Sequence, residues 1–568
     1  MNKLQFFGFF NFFLFSIITS GLGCTQPSEV KNEIDTTLTS ISHLQKNGNA
    51  IQLMVDNEPF IMISGELHNS SSSSVEYLSP LWTKLKAMNL NSVIASISWE
   101  QFEPEEGVYD YTLVDAIIEK AKENKLKLSL IWFASWKNGQ SSYVPLWVKK
   151  DTKRFFRVKT KKGEIIETIS PFCDNAMKAD AKAFSMLMKH IKKVDKDNTV
   201  IMMQPENEVG IFQDIDYNSQ ALHKFEQEVP AQLCSYLEQN TNQLEKEVKS
   251  VWQLNGYKTK GTWKEVFGNS EYAKEFFMVW QYATYINEVV KAGKKEHPIP
   301  MFVNAWIVQK PDDLPGIYPN GGPVSRVMDI YKAAAKDIDV LCPDIYLPNF
   351  KEIATMYHRY DNPLLIPEST LDAGKAFYAF AEHDAICFSP FGIEDGVNNF
   401  SFTQSCKTLN ELMPLITKYQ GTGKMFGILA EGDEKERTIE LGDYLIKIVY
   451  EKLKGESYGL IIQTAENEFL VSGMNMQVYF SANNPNKIGN IGQIWEGGYE
   501  DGKWKSTRLL NGDETSHNWV LKVNGRQFVT TEARNSMEPE QKIFTYSSNK
   551  NKIISTPGVY KVITYLRE

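Results

Sequence analysis

The stretch MMQPENEVG, residues 202–210, follows the run NTVI and sets two glutamates, Glu206 and Glu208, around Asn207 at the end of an apolar segment. Buried carboxylates are costly unless they are paired or put to use. A second lone carboxylate, Glu368, ends the run PLLIPES. Two carboxyl groups held close together divide their labour, because crowding raises one pKa and leaves the other group ionised. One is then a general acid and the other a nucleophile. Other apolar runs also end in polar or aromatic residues: His68, Trp99 with Glu103, Trp136 with Lys137, Asn304 with Trp306, and Asp344 with Tyr346. Glu206, two residues before Glu208, is expected to sit in a buried ion pair with an Arg or Lys.

Those residues need elements that bring them together. From about residue 51, short apolar runs alternate with helical patterns. The runs are PFIMISGELH (59–68), NSVIASISW (91–99), LKLSLIWFASW (126–136), NTVIMMQPENE, IPMFVNAW, IDVLCPDIY, PLLIPES and AICFSPFG. Eight βα units in a row predict a parallel sheet closed into a (β/α)8 TIM barrel. In such a barrel the chemistry sits at the C-terminal ends of the strands. Strands 4 and 7 face each other across the mouth, so Glu208 and Glu368 could approach to about 5 Å. A polar and aromatic insertion at 210–270 is expected to be a loop over the mouth. After about 430, short alternating strands with Gly, Asn and Asp turns predict a smaller all-β sandwich. There Trp495 and Trp504 are expected to pack the sandwich or its contact with the barrel.

The 568 residues are 42% hydrophobic and 23% charged, enough for a large core. A net charge of −9 argues against a nucleic-acid surface and leaves neutral substrates open. Lys3 precedes FFGFFNFFLFSIITSGLG, and GLGC ends the segment. This reads as an export signal over 1–23, with Cys24 as a lipidated first residue, although Gly21 stands where Leu is usual. A cleaved secreted form and an uncleaved anchor are the alternatives. Residues 24–45 read as a tether, 46–430 as the barrel and 431–568 as the sandwich. The expected location is the periplasm or outer membrane, with the membrane reached only through the lipid. Cys173, Cys234, Cys342, Cys387 and Cys406 are widely spaced with no CxxC pair, so buried thiols are expected rather than disulfides. With no HExxH motif, neither a metal nor a cofactor is expected.

SGELH followed by LNSVIASISWEQFEPEEGVYDY resembles the opening of glycoside hydrolase family 35, the β-galactosidases. The matching positions are Gly65, His68, Trp99, Glu103, Pro104, Gly107, Asp110 and Tyr111. ASWKNGQSSYVPLWV is similar to the family's segment after strand 3, and PENE to the acid-bearing end of strand 4 in the wider clan of retaining glycosidases. The resemblance covers roughly residues 50–400. It implies Glu208 as acid/base, Glu368 as nucleophile, Asn207 on the sugar 2-hydroxyl, Tyr346 against the nucleophile and Trp306 as a flat face for the sugar. Trp136, Lys137, His68 and Glu103 are further candidate substrate contacts. Ser96 replaces the family's Tyr, and Ser135 its Glu, which implies a different hydroxyl-binding set, with Trp136, Lys137 or Asn138 as replacements. The implied activity is exo-acting, retaining hydrolysis of terminal β-galactosides in plant-type oligo- or polysaccharides. The alternatives are another β-glycoside and a catalytically silent glycan-binding lipoprotein. The export reading has a direct check: Cys24→Ser should move the protein from the membrane fraction to the soluble fraction, and unchanged fractionation would contradict lipidation.

Overall fold

The computed structural model describes residues 41–500, 502–531 and 551–568, with side chains described outside 526–531 and 551–555. The signal segment, Cys24 and most of the expected tether lie outside these residues. The tether's last residues do not dangle. His43–Asn47 forms a strand that pairs antiparallel with Ala50–Val55, which pairs in turn with Glu58–Phe60. Among the described residues no helix is long and apolar enough to cross a membrane.

The eight expected strands are present: β1 (Met62–Ile63), β2 (Ser92–Ser98), β3 (Lys127–Lys137), β4 (Val200–Asn207), β5 (Phe302–Trp306), β6 (Val340–Ile345), β7 (Leu365–Ser369) and β8 (Cys387–Pro390). They form two parallel sheets, β5-β6-β7-β8-β1 and β2-β3-β4. Single bridges join them at both seams, Glu66 to Ile94 and Met203 to Met301. Strands covered on both faces carry nearly unbroken apolar runs, and all seven residues of β2 are buried. The first run was read as one strand over 59–68. It is two, because Pro59 and Phe60 belong to the outer antiparallel sheet and the chain turns inward only at Met62.

Helices follow the strands and bury one face each. Helix α1 (Asp174–Val194) packs Ala183, Phe184, Leu187 and Met188 inward, and α2 (Glu271–Glu296) crosses it. The crossing is so close that a Cβ on Gly293 would lie 2.3 Å from the Phe184 ring. The 210–270 insertion is largely helical rather than the expected loop, with helices Ser219–Phe225, Ala231–Gln239, Lys246–Leu254 and Trp263–Phe267. Its apolar residues Leu233, Leu237, Val248, Trp252 and Trp263 are buried, and that burial drives the order.

Beyond the helix Phe400–Tyr419 lie two antiparallel sheets of six and four strands. Ile428, Ile461, Val471 and Val562 of one share a core with Ile446, Ile448, Val478 and Leu521 of the other. The first strand, Met425–Leu429, pairs with Tyr458–Ala465, so the all-β region starts a few residues before 430. Tyr499 and Trp504 are partly buried against the main core. All five described cysteines are buried and unbridged, as expected.

Glycine to alanine inside a helix normally stabilises by about 1 kcal/mol. Gly293→Ala should reverse that sign and destabilise by ~1–3 kcal/mol, because the new methyl overpacks against Phe184. A denaturant melt reads the sign directly, and a rise in stability would contradict the close crossing.

Candidate active site

Register assembles the site. Trp306, Asp344 and Glu368 are successive partners across β5, β6 and β7, so they form one row at the strand ends. Lys137 is the partner of Asn207 across β3 and β4. One amide links these rows. Asn304, fully buried on β5, accepts the Glu208 backbone N–H at 3.0 Å through Oδ1. Its Nδ2 donates to Asp344 at 2.8 Å and to Glu368 at 3.4 Å. Tyr346 donates its hydroxyl to the other Glu368 oxygen at 2.8 Å. Asn207, with its amide oxygen turned toward strand β3, accepts from Lys137 Nζ at 3.3 Å and from the Glu208 N–H at 3.2 Å.

The backbone of PENE is strained. Glu206 and Glu208 both lie in the left-handed region, with φ of +64° and +44°. That conformation costs a residue with a side chain ~1–2 kcal/mol. The cost is met by fixed hydrogen bonds. Asn138 and Gly139 donate their N–H groups to the carbonyls of Asn207 and Glu208 at 3.2 and 3.1 Å. Gln204 Nε2 donates to the Glu206 carbonyl at 3.0 Å. The double reversal sends the two glutamates to different places. Glu208 enters the pocket, whereas Glu206 turns away and accepts the N–H groups of Ser135 at 3.2 Å and Trp136 at 2.7 Å. The expected Arg or Lys partner of Glu206 is not there. Burial, and then the neighbouring Asp180 carboxyl, push its pKa well up.

The pocket has a volume of about 430 Å³, within the ~300–1,000 Å³ usual for small-ligand sites. Glu208, Glu368, Lys137, Trp306 and Tyr346 all line it. One oxygen each from Glu208, Asp344 and Glu368 lie within 4.8 Å of one another, an arrangement able to hold a cation or to share protons. Burial and then Glu368 raise the Glu208 pKa to about 7. Burial also raises Glu368, opposed by Lys137 and by hydrogen bonds from Tyr346 and Asn207. Asp344 is pushed well up by burial and by the Glu368 and Glu208 charges. Glu66, one residue past Gly65, is buried with neither carboxyl oxygen bonded, and its pKa is likewise well raised by burial and then by Glu368.

The other sequence-stretch candidates fall elsewhere. Trp136 is fully buried among Tyr282 and Tyr285, with Nε1 donating to the Ile169 carbonyl at 3.0 Å. Neighbouring strand residues face opposite ways, so Lys137 takes the pocket and Trp136 the helix side. Glu103 is also buried outside the lining, where it accepts the Trp99 indole N–H and the Gly107 N–H, each at 2.7 Å. It fixes the strand-2 turn. His68 pairs with Asp395 at 2.8 Å and stands edge-on to Phe391, which does line the pocket. Ser135 bonds Asp180 at 2.7 Å, and Ser96 bonds the Asn69 carbonyl at 3.2 Å. The Asn69 and Asn138 amides line the pocket, and their buried oxygens have no bonding partner. Asn69, Gln309 and Glu66 were not singled out from the sequence. Asn69 follows His68 directly, the one signal that could have exposed it.

Residues 52–298 match the model of Glycosyl hydrolases family 35. That segment is thus similar to the family 35 glycosyl hydrolases. The span holds β1 to β4 and Glu208 but ends before β7, so it is the register of the later strands that brings Glu368 to the same pocket. Residues 402–522 match a domain of unknown function, DUF5597. No curated protein sequence matches the chain. Similar solved structures include β-galactosidases from Bacillus circulans sp. alkalophilus and from Rahnella sp. R3. Each is 15% identical with a TM-score of 0.43, over 63% of this chain and 57% of theirs. A β-amylase catalytic domain from Paenibacillus polymyxa is 12% identical with a TM-score of 0.42, over 63% of this chain and 97% of its own. This chain thus spans a little over half of the β-galactosidase chains it resembles.

The electrostatics give a sign that can be tested. Lys137 lowers the pKa of both Glu208 and Glu368. For a reaction that uses Glu368 as carboxylate and Glu208 as acid, kcat/KM should fall above pH ~7, tenfold per unit. Lys137→Met should move both limbs of the pH profile upward, while Lys137→Arg should leave them nearly in place. An unshifted profile for Lys137→Met would remove the ammonium from the account.

Proposed function

We propose that the chain is a retaining, exo-acting β-glycosidase, with terminal β-galactosides of plant-type oligo- or polysaccharides as its substrates. The observation that carries the reaction is the separation of Glu208 and Glu368, whose nearest oxygens lie within 4.8 Å. Retaining enzymes hold their two carboxyl groups ~5–5.5 Å apart, and inverting ones ~6.5–9.5 Å apart to admit a water. In this reading the two parallel sheets, bridged at both seams, close into one (β/α)8 barrel, and the later sheets form a sandwich. Export and a lipid on Cys24 belong to the same proposal and rest on the N-terminal sequence.

The double displacement assigns each group. The Glu368 carboxylate attacks the anomeric carbon as Glu208 gives its proton to the glycosidic oxygen, and the alcohol leaves. Water then attacks the glycosyl ester, Glu208 takes a proton from it, and the Glu368 carboxylate is released. Once Glu368 is esterified its charge is gone, so the Glu208 pKa falls and the same group acts as a base. Asn207 beside Glu368 is placed for the 2-hydroxyl, and Trp306 offers a face to the ring. The galactose assignment rests on the likeness of residues 65–111 to the family. The bare Asn69 and Asn138 amides favour, as a second reading, the same reaction on another β-glycoside.

Glu368→Gln should keep the fold and lower turnover by several orders of magnitude. Glu208→Ala should spare the first step on activated aryl galactosides and stall the second. Azide, which needs no base, should restore its turnover and yield a β-galactosyl azide. Rescue of Glu206→Ala in place of Glu208→Ala would show that the wrong glutamate of PENE had been assigned.

A further inference from the structure

The double displacement gives Asp344 no part, yet it stands beside both glutamates. It lies between Trp306 and Glu368 in the row of strand ends, lines the pocket and is 2% exposed. Its Oδ2 accepts the Asn304 amide at 2.8 Å. No donor among the described residues reaches its buried Oδ1. The Glu208 carboxyl stands next to it. The two groups are hydrogen-bonded, and one oxygen of each lies within 4.8 Å of the other.

Two carboxyl oxygens hold no hydrogen between them unless one group is protonated. A buried oxygen left without a donor costs stability, so the pair itself must hold the proton. Asn304 already donates to Oδ2, which leaves Oδ1 as the protonated oxygen. The surrounding charges favour the same assignment. Burial and the carboxyls of Glu368 on β7, Glu208 beyond β4 and Glu66 beyond β1 all push Asp344 toward the neutral form. Lys137 on β3 acts on Glu208 and Glu368 in the opposite sense. Burial raises Tyr346, Cys342 and Tyr357, on β6 and the helix after it, so these stay neutral. The other glutamate of PENE offers a contrast. Glu206 also meets an acid, Asp180, but that carboxyl is already filled by Trp132, Ser135 and Tyr285 and lies outside the pocket lining.

We propose that Asp344 is a positioning residue whose O–H donates to Glu208 and leaves the Glu208 proton turned toward the glycosidic oxygen. The inference rests on the reading of Glu208 as the acid/base. With one oxygen of Glu208 taken up as the acceptor from Asp344, the other carries the proton for the substrate. Once that proton has left, the same Asp344 O–H steadies the Glu208 carboxylate, the form that deprotonates water. Asp344 keeps its own proton throughout, so the protons moved are those of the double displacement alone.

The experiment follows kcat/KM for aryl β-galactosides against pH in the wild type, Asp344→Leu and Asp344→Asn. Leucine fills a similar volume with no donor. Asparagine keeps an N–H for Glu208 and a carbonyl for the Asn304 amide. The Asp344 hydrogen bond lowers the Glu208 pKa. Its loss in Asp344→Leu should therefore move the alkaline limb up by about one pH unit, while Asp344→Asn should leave the limb in place. Asp344→Leu should also lose about tenfold on phenyl β-galactoside, whose leaving group needs the aimed proton, and little on the dinitrophenyl compound, whose leaving group does not. A thermal melt checks folding, and Asp344→Val takes the place of the leucine variant if that fails. A limb that stays put without the donor, or that moves equally in Asp344→Asn, would overturn the proposal. If the wild type cleaves no aryl β-glycoside, the assigned reaction fails instead. The infrared carboxyl band that Glu208→Gln removes then titrates the group directly. A midpoint raised in Asp344→Leu and kept in Asp344→Asn supports the hydrogen bond, and an unshifted one overturns it.

Discussion

Four buried carboxyl groups, those of Glu66, Glu208, Asp344 and Glu368, act on one another around a single buried ammonium, that of Lys137. Such a group cannot be fully ionised away from water. Protons must stay on some members, and the structure orders which. Glu66 and Asp344 are driven furthest toward the neutral form. Burial raises Glu368 as well, opposed by Lys137, Tyr346 and Asn207, and Glu208 is pushed up to about 7. In the proposed mechanism the division of labour between acid and nucleophile follows from this crowding, and Lys137 lowers the pH at which it operates.

Holding that crowd requires rigid supports from six strands. Asn304 on β5 ties the backbone of β4 to the carboxyls of β6 and β7. The reversed backbone at Glu206 and Glu208 is held by N–H groups from the turn after β3. Strain of this kind persists where surrounding bonds over-determine it, and it gathers at functional sites. Here it separates two glutamates only two residues apart, one into the pocket and one into a buried pair with Asp180.

Much of this was legible in the sequence, and the failures have physical causes. Period and length located all eight strands, and the rule that chemistry sits at strand ends found Glu208, Glu368, Lys137, Trp306 and Tyr346 in one pocket. The same rule misplaced Trp136, because a strand end alone does not say which face a side chain takes. Glu103 lies outside that lining and caps a turn, and a carboxylate in that role looks in sequence like one that binds a sugar. Glu66 was overlooked because β1 is only two residues long and its polar continuation gives no period. The helices of the 210–270 insertion were hidden by their polar outer faces. The strand-end rule picked out Asn304 too, but not its linking role, which depends on contacts 40 to 96 residues away.

The central claim is that Glu368 is the group to which the sugar becomes attached. A 2-deoxy-2-fluoro-β-galactosyl fluoride slows both steps and lets the glycosyl-enzyme accumulate. The protein should gain the mass of one fluorosugar, and the modified peptide should carry it on Glu368. A label on any other residue, or a wild type that turns over aryl galactosides yet never carries one, would contradict the account.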